Sequence, residues 1–110
     1  MAAQRAYLNK KTLNKITDRI IRSFPIKKII LFGSHAYGRP RKDSDIDLFI
    51  IMESNKRPSE RRIAISRLFK DREMPMDFIV KTPAEIRARL AVGDHFVKAV
   101  LAKGSVLYEK

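Results

Sequence analysis

Apolar positions near the start of the chain recur at the spacing of an α-helix. Leu13, Ile16, Ile20 and Phe24 are three or four residues apart, and Lys and Arg side chains stand between them. This spacing places the apolar side chains on one face of a helix and the charged ones on the other. We therefore predict an amphipathic helix from Leu8 to Phe24, ended by Pro25.

Four apolar runs further along have the length and composition of β-strands. Three of them are long, continuous and rich in β-branched or aromatic residues, which is typical of buried strands. They cover Lys27–Phe32, Asp45–Met52 and Met76–Lys81, and a shorter run at Val106–Tyr108 predicts a last strand.

Helical patterns occupy the intervals between these strands. The segment Asn55–Asp71 has a stripe of apolar residues at Ala64, Ile65, Leu68 and Phe69. The segment Ser34–Gly38 is too short for an ordinary helix, although Ser34 is a good residue for a helix start.

Two further helices are predicted by their end signals. Thr82-Pro83-Ala84-Glu85 forms a capping box with Pro at the first helical position, and Gly93 ends that helix. Asp94 can begin the next helix, which Gly104 ends. We expect the second of these helices to point its apolar residues inward, namely Phe96, Val97, Val100 and Leu101.

The resulting order α-β-α-β-α-β-α-α-β predicts an α/β (α+β) protein with a small mixed β-sheet and helices packed against it. The chain has 110 residues, of which 45% are hydrophobic and 33% charged, so we expect one globular domain with one core. No apolar stretch approaches the ~20 residues that span a bilayer, and the start of the chain is polar. We therefore expect a cytoplasmic protein without a membrane anchor.

Composition limits the kinds of metal site that are open to this chain. It has no cysteine and only two isolated histidines, so thiolate and His-rich sites are excluded and any metal must bind to oxygen ligands. The net charge of +12 favours polyanionic partners such as nucleic acid, nucleotides or an acidic protein. Residues 1–42 contain eleven Lys or Arg and one acid, Asp18. This basic surplus is either a solubilising face or a surface that attracts phosphate.

The segment between the first two predicted strands carries the candidate chemistry. Gly33 and Ser34 follow a strand and open a helix, where backbone N–H groups and the Ser34 hydroxyl can hold a phosphate. Asp45 and Asp47 are two residues apart on a strand, so their side chains project from the same face. Like charges at that distance repel, and a hard divalent cation such as Mg²⁺ relieves the repulsion. Asp77 lies in an apolar run that predicts a core strand, and an acid at a core position needs a partner for its charge.

These residues resemble the minimal nucleotidyltransferases of the DNA polymerase beta superfamily. The resemblance covers nearly the whole chain. Its motif comprises Gly33, Ser34, Ala36, Gly38 and Ser44, followed by Asp45 and Asp47, with Asp77 as the third carboxylate. The closing segment Gly104–Tyr108 also looks like the usual end of such a domain.

The resemblance implies a single nucleotidyltransferase domain over residues 1–110 that uses two Mg²⁺ ions and an NTP, with ATP as the expected nucleotide. Asp45, Asp47 and Asp77 would be the catalytic and metal-binding residues. Gly33, Ser34, Gly38 and Arg39 would bind the nucleotide. Arg39, Arg41 and Lys42 either screen the phosphates or form a solvated loop.

Several acceptors and partners remain open. The acceptor would be a hydroxyl group on a protein or on an RNA or tRNA end. Minimal members of this family commonly act as antitoxins beside a HEPN-type ribonuclease toxin, which they neutralise by binding it or by attaching adenylate to it. A plain nucleic-acid-binding protein is the least favoured alternative, because it would not need three inward acids. A homo-oligomer is also open.

Overall fold

The computed structural model describes residues 9–37, 45–71 and 75–110, and they form the order of elements that the sequence predicts. The helices are α1 (Lys10–Ser23), α2 (Ser34–Tyr37), α3 (Pro58–Ser66, continued by a 3-10 turn at Arg67–Phe69), α4 (Pro83–Ala91) and α5 (His95–Lys103). The strands are β1 (Ile26–Phe32), β2 (Ile46–Met52), β3 (Met76–Lys81) and β4 (Ser105–Glu109). The predicted α/β class is confirmed.

The four strands form one mixed sheet in the order β3-β2-β1-β4. β1 is antiparallel to β2 and to β4, whereas β2 and β3 are parallel and α3 connects them. β3 and β4 are therefore the edge strands of this sheet. The sequence predicts the strands but not this order, because each apolar run is compatible with several neighbours.

Helices cover both faces of the sheet because the buried side chains of β2 alternate in direction. Ile46, Leu48 and Ile50 pack with α1 and α3 on one face. Phe49 and Ile51 pack with α4 and α5 on the other. We call the second face the site face, because Asp47 is two residues before Phe49 on β2 and its side chain projects to the same face.

Local side-chain and backbone signals define the helix ends, and those between α4 and α5 lie where the sequence predicts them. The Asn9 side chain accepts a hydrogen bond of 2.8 Å from the Thr12 N–H at the start of α1. Thr82 and Glu85 form the expected capping box at the start of α4. Gly93 has a φ of +75°, a left-handed conformation that ends α4, and Asp94 caps α5. Each of these ends depends on residues a few positions apart.

The direction of one apolar residue differs from the prediction. Val97 and Val100 of α5 are buried as expected, but Phe96 is 45% exposed. Phe96 lies in the first turn of α5, at the end of the site face, where no further element described in the structure packs over it.

Arg61 is a buried charged residue that joins three elements, and no sequence pattern indicates its burial. Its side chain is only 5% exposed. The guanidinium donates to the Lys56 carbonyl at 2.8 Å, to the Val80 carbonyl at 3.3 Å and to both Glu85 oxygens, at 2.7 and 3.3 Å. These bonds satisfy the buried charge and fix the end of β3 between α3 and α4.

In the part of the chain that the structure describes, none of the helices is both long enough and apolar enough to cross a membrane.

Candidate active site

The three predicted acids are brought together on the site face of the sheet. Asp45 immediately precedes β2, and Asp47 lies two residues further along on the same side. β3 runs parallel to β2 with Asp77 directly opposite Asp47. Residues that are paired in neighbouring strands project from the same face, so all three carboxylates lie at one end of the site face.

The surroundings of Asp77 differ from the prediction. We expected an acid in a core strand, but β3 is an edge strand and Asp77 is exposed. Asp47 is half-buried and Asp45 is exposed. The burial argument therefore applies to Asp47 and not to Asp77, whose position is defined by its register with Asp47.

The electrostatics of the cluster centre on Asp47. Burial, together with the negative charges of Asp77 and Asp45, raises the pKa of the Asp47 carboxyl above its ordinary value of 3.8. The nearby His35 imidazole lowers this pKa in part. The other two acids thus disfavour the charged form of Asp47, and a cation placed among the three would relieve that repulsion.

Gly33 provides the space that the Asp47 carboxylate occupies. Phe32, the last residue of β1, pairs with Asp47, and Gly33 follows with a φ of +78°. A Cβ atom built on Gly33 would overlap the Asp47 Oδ2 atom and lie 3.1 Å from its Cγ. The absence of a side chain at position 33 is therefore needed both for the backbone conformation and for the position of Asp47.

His35 is a site residue that sequence reasoning missed. The sequence shows it only as one of two isolated histidines, but it is half-buried in α2 and close enough to Asp47 to influence the pKa of that carboxyl. α2 has only four residues, too few for a periodic pattern to show which way His35 points. Its position two residues after Gly33, which contacts Asp47, is the signal that could have indicated it.

Aromatic side chains border the acids on the site face. The rings of Phe32 and Phe49 are 6.3 Å apart, and the Phe96 ring lies 5.6 Å and 6.4 Å from them respectively. Phe32 is paired with Asp47 in the sheet, and Phe49 follows it on the same side of β2. Asp47 therefore borders an apolar wall, which lowers the dielectric constant around its carboxylate and strengthens its interaction with charge.

The donor set suits a hard divalent cation. The three acids supply only oxygen ligands, which Mg²⁺ prefers. Over residues 9–37, 45–71 and 75–110, however, no three acidic or histidine side chains stand close enough to enclose a metal ion. A cation bound at these acids would take further oxygens from water or from a ligand, as Mg²⁺ does when it carries phosphates.

Two of the predicted nucleotide-binding residues, Gly38 and Arg39, lie outside the described residues, as do Arg41, Lys42 and Ser44. Gly33 and Ser34 are described, and both are half-buried at the junction of β1 and α2.

The basic surface of α1 does not border the acids. α1 packs through Ile16 and Ile20 against the face of the sheet opposite to the site face. Its exposed Lys and Arg side chains therefore point away from that face into solvent. Of the two interpretations of the basic N-terminal third, the solubilising face fits this helix.

The four-stranded mixed sheet, with three carboxylates beside a Gly-Ser turn, has the architecture of a nucleotidyl-transfer domain. The chain belongs to the nucleotidyltransferase domain family, whose model matches residues 13–107. No curated protein sequence matches the chain.

Two kinds of solved structure share the fold. A protein of Sulfolobus solfataricus described as a nucleotidyltransferase has 21% identity and a TM-score of 0.67, with 100% of this chain and 89% of the other covered. The toxin–antitoxin complex MntA–HepT has 19% identity and a TM-score of 0.60, with 93% and 74% covered. A mutant of that complex, with two Asp-to-Glu changes two positions apart, has 19% identity and a TM-score of 0.64, with 94% and 75% covered.

Proposed function

We propose that this protein transfers a nucleoside monophosphate from an NTP, with ATP as the expected nucleotide, to a hydroxyl acceptor on a protein or an RNA. The observation that supports this most directly is the juxtaposition of Asp45, Asp47 and Asp77 on the site face beside Gly33. Membership of the nucleotidyltransferase family supports the same reaction class.

Each described site residue has a role in this proposal. Gly33 and Ser34 hold the triphosphate through backbone N–H groups and the Ser34 hydroxyl. Asp45, Asp47 and Asp77 are the residues that would hold Mg²⁺. When it is bound, Mg²⁺ neutralises phosphate charge and lowers the pKa of the acceptor hydroxyl. His35 lies next to Asp47 and helps to keep that carboxyl charged.

The transfer is a substitution at the α-phosphorus. The acceptor oxygen forms a bond to that phosphorus, and the bond from the phosphorus to the oxygen bridging the α- and β-phosphates breaks. Pyrophosphate leaves with the electrons of that bond. The proton of the acceptor hydroxyl passes to the Asp77 carboxylate, which faces solvent and can release it.

Nucleotide binding and transfer with α-labelled NTPs and Mg²⁺ test the proposal. We expect the wild-type protein to bind NTP only with Mg²⁺ and to transfer label, and Asp47→Asn to lose at least about a hundredfold of transfer. Asp18→Asn is the matched control, since Asp18 is an exposed acid on α1, at the opposite face. Failure of the wild type to bind any NTP in the presence of Mg²⁺ would refute the proposal.

A second function, toxin neutralisation, is supported by the MntA–HepT complexes among the structural neighbours. We propose that this chain binds a HEPN-type toxin. Leu90, Val92 and Phe96 are exposed around the α4–α5 turn, and Val92 is 71% exposed. An apolar surface of this kind is suited to a protein partner.

Co-expression with a helical protein encoded by the adjacent gene tests this second function. We expect a stable complex and relief of toxicity, both weakened by Val92→Glu. Ile63→Glu is the control, because Ile63 is an exposed apolar residue on α3, away from that turn. Persistent toxicity without a complex would count against an antitoxin role.

A further inference from the structure

A shallow groove runs along the free edge of the sheet beside Asp77. It has a volume of about 400 Å³ and lies between β3 and the first turns of α3. Its lining residues are the β3 segment Asp77–Lys81 together with Pro58, Ser59 and Arg62. Because β3 is an edge strand, no described strand covers this side of it.

Two hydrogen bonds show which backbone groups of β3 face the groove. The Pro75 carbonyl accepts from the Ile46 N–H at 2.9 Å and therefore points toward β2. The Val80 carbonyl instead accepts from Arg61 and points away from β2. Since these directions alternate along a strand, Met76, Phe78 and Val80 turn their backbone groups outward. The Arg61 bond occupies the Val80 carbonyl, which leaves the Phe78 segment as the pairing edge.

Charge is unevenly distributed along the groove. Asp77 stands at one end, and the cationic side chains of Arg62 and Lys81 line it as well. Asp77 and Lys81 are four residues apart on the same side of β3, which corresponds to about 13 Å. An occupant would therefore meet the reaction centre at one end and positive charge at the other.

We propose that the acceptor is an extended protein segment that pairs with the free edge of β3. A Ser, Thr or Tyr of this segment lies level with Asp77, and an acidic residue about four positions away lies level with Lys81. This inference rests on the proposed nucleotidyl transfer and names its acceptor class. Edge strands commonly recruit extended peptides in this way, with main-chain bonds giving affinity and side chains giving specificity.

An RNA acceptor fits these observations less well. The Lys and Arg side chains of α1, which could bind a phosphate backbone, lie at the other face of the sheet. Among the residues that the structure describes, two cations line the β3 groove, which begins at an exposed acid. A polyanion would meet repulsion from Asp77 there, whereas a peptide can match both ends of the groove.

The probe is a capped nine-residue peptide of alternating Gln and Val, with Glu as its third residue and Tyr as its seventh. Binding is followed by amide NMR and hydrogen exchange, with and without ATP and Mg²⁺. We expect exchange to slow at the outward Phe78 amide and to stay unchanged at the Asp77 and Ile79 amides, which already bond to β2. Two N-methylated peptides are compared, one methylated at its odd-numbered residues and the other at its even-numbered residues. One of them should lose binding and the other should keep it.

A matched pair of variants tests the role of charge. Arg62→Glu should weaken peptide binding about threefold or more, because it replaces one of the cations that line the groove with a negative charge that repels the acidic residue of the peptide. Arg67→Glu makes the same change on an exposed residue of the adjoining turn that does not line the groove, and it should leave binding unchanged.

The outcomes separate this inference from the proposed function. Slowed exchange at Phe78, with label transferred to the peptide, supports both. Transfer of label to an RNA oligonucleotide and not to Ser, Thr or Tyr forms of the peptide overturns the inference and leaves the transferase intact. Peptide bound at β3 without any transfer to peptide or RNA overturns the transferase and the acceptor role, and leaves β3 only as a peptide-binding edge. Binding that is unchanged by either N-methylation pattern and by Arg62→Glu also overturns the inference.

Discussion

Replacement of Gly33 by Ala should displace the central acid of the site. The new Cβ would overlap Asp47 Oδ2, so the carboxylate must rotate away from its position between Asp45 and Asp77. A shift of about 1 Å in a positioned catalytic group can cost about a hundredfold in rate. We therefore expect Gly33→Ala to lose about a hundredfold of Mg²⁺-dependent nucleotide transfer.

The stability cost of Gly33→Ala has two parts. An Ala in the left-handed region costs about 1–2 kcal/mol at a φ of +78°. Moving the Asp47 side chain off its preferred rotamer adds about 0.5–1.5 kcal/mol. Since 1 kcal/mol shifts the Tm of a domain of this size by about 4–8 °C, the total of about 1.5–3.5 kcal/mol is a loss of roughly 6–28 °C.

Gly93→Ala is a matched control for the backbone part. Gly93 has a φ of +75°, but a Cβ there meets no atom within 4 Å. We expect it to lower the Tm by roughly 4–16 °C through the same conformational cost of about 1–2 kcal/mol and to leave transfer unchanged. Thermal denaturation and transfer assays on both variants below their Tm separate the two parts. Equal transfer by the two variants would show that the Gly33–Asp47 contact has no part in the reaction.

Three further predictions follow from the charged groups. Asp47→Asn should raise the Tm by roughly 2–6 °C in the absence of metal, because it removes a partly buried charge and its repulsion by Asp77 and Asp45. It should also abolish any Tm increase on adding Mg²⁺, and a lower Tm without metal would contradict this reasoning. The hydrogen bond from Arg61 is the largest cause that lowers the pKa of Glu85 below its ordinary value of 4.5. The contribution of the charged Glu85 to the free energy of unfolding is therefore complete above pH 4.5 and is lost as the pH falls through the lowered pKa. Glu85→Gln should therefore flatten this part of the stability curve and cost about 1 kcal/mol near neutral pH, a figure reduced because the Glu85 side chain is 36% exposed; an unchanged acid limb in denaturant melts would contradict it. Arg61→Ala should cost more, about 2–4 kcal/mol by the same measurement, because it also leaves the Val80 and Lys56 carbonyls without their donor, whereas a loss below that of Glu85→Gln would refute this order.

Local signals in the sequence were sufficient for the elements. Apolar spacing gave the strands and the main helices, and the Thr82–Glu85 and Asp94 caps gave helix starts that the structure confirms. These features depend on residues at most a few positions apart, so a single sequence carries them completely. The shared face of Asp45 and Asp47 was predictable for the same reason, because strand alternation alone places them together.

Long-range pairing decided the rest of the site. The register that sets Asp77 opposite Asp47, and the edge position that exposes Asp77, result from how β3 pairs with β2, which no local pattern specifies. The contact of Gly33 with Asp47 and the approach of His35 depend on where β1 lies beside β2.

By itself, the sequence determined the kinds of elements, their order and the chemical nature of the acids, because periodicity, caps and composition act locally. The tertiary structure alone decided which acids meet, that the basic helix α1 lies on the opposite face, and that a free strand edge borders Asp77. The physical reason is that strand order, register and helix placement minimise the free energy of the whole core, to which residues far apart in the chain contribute together.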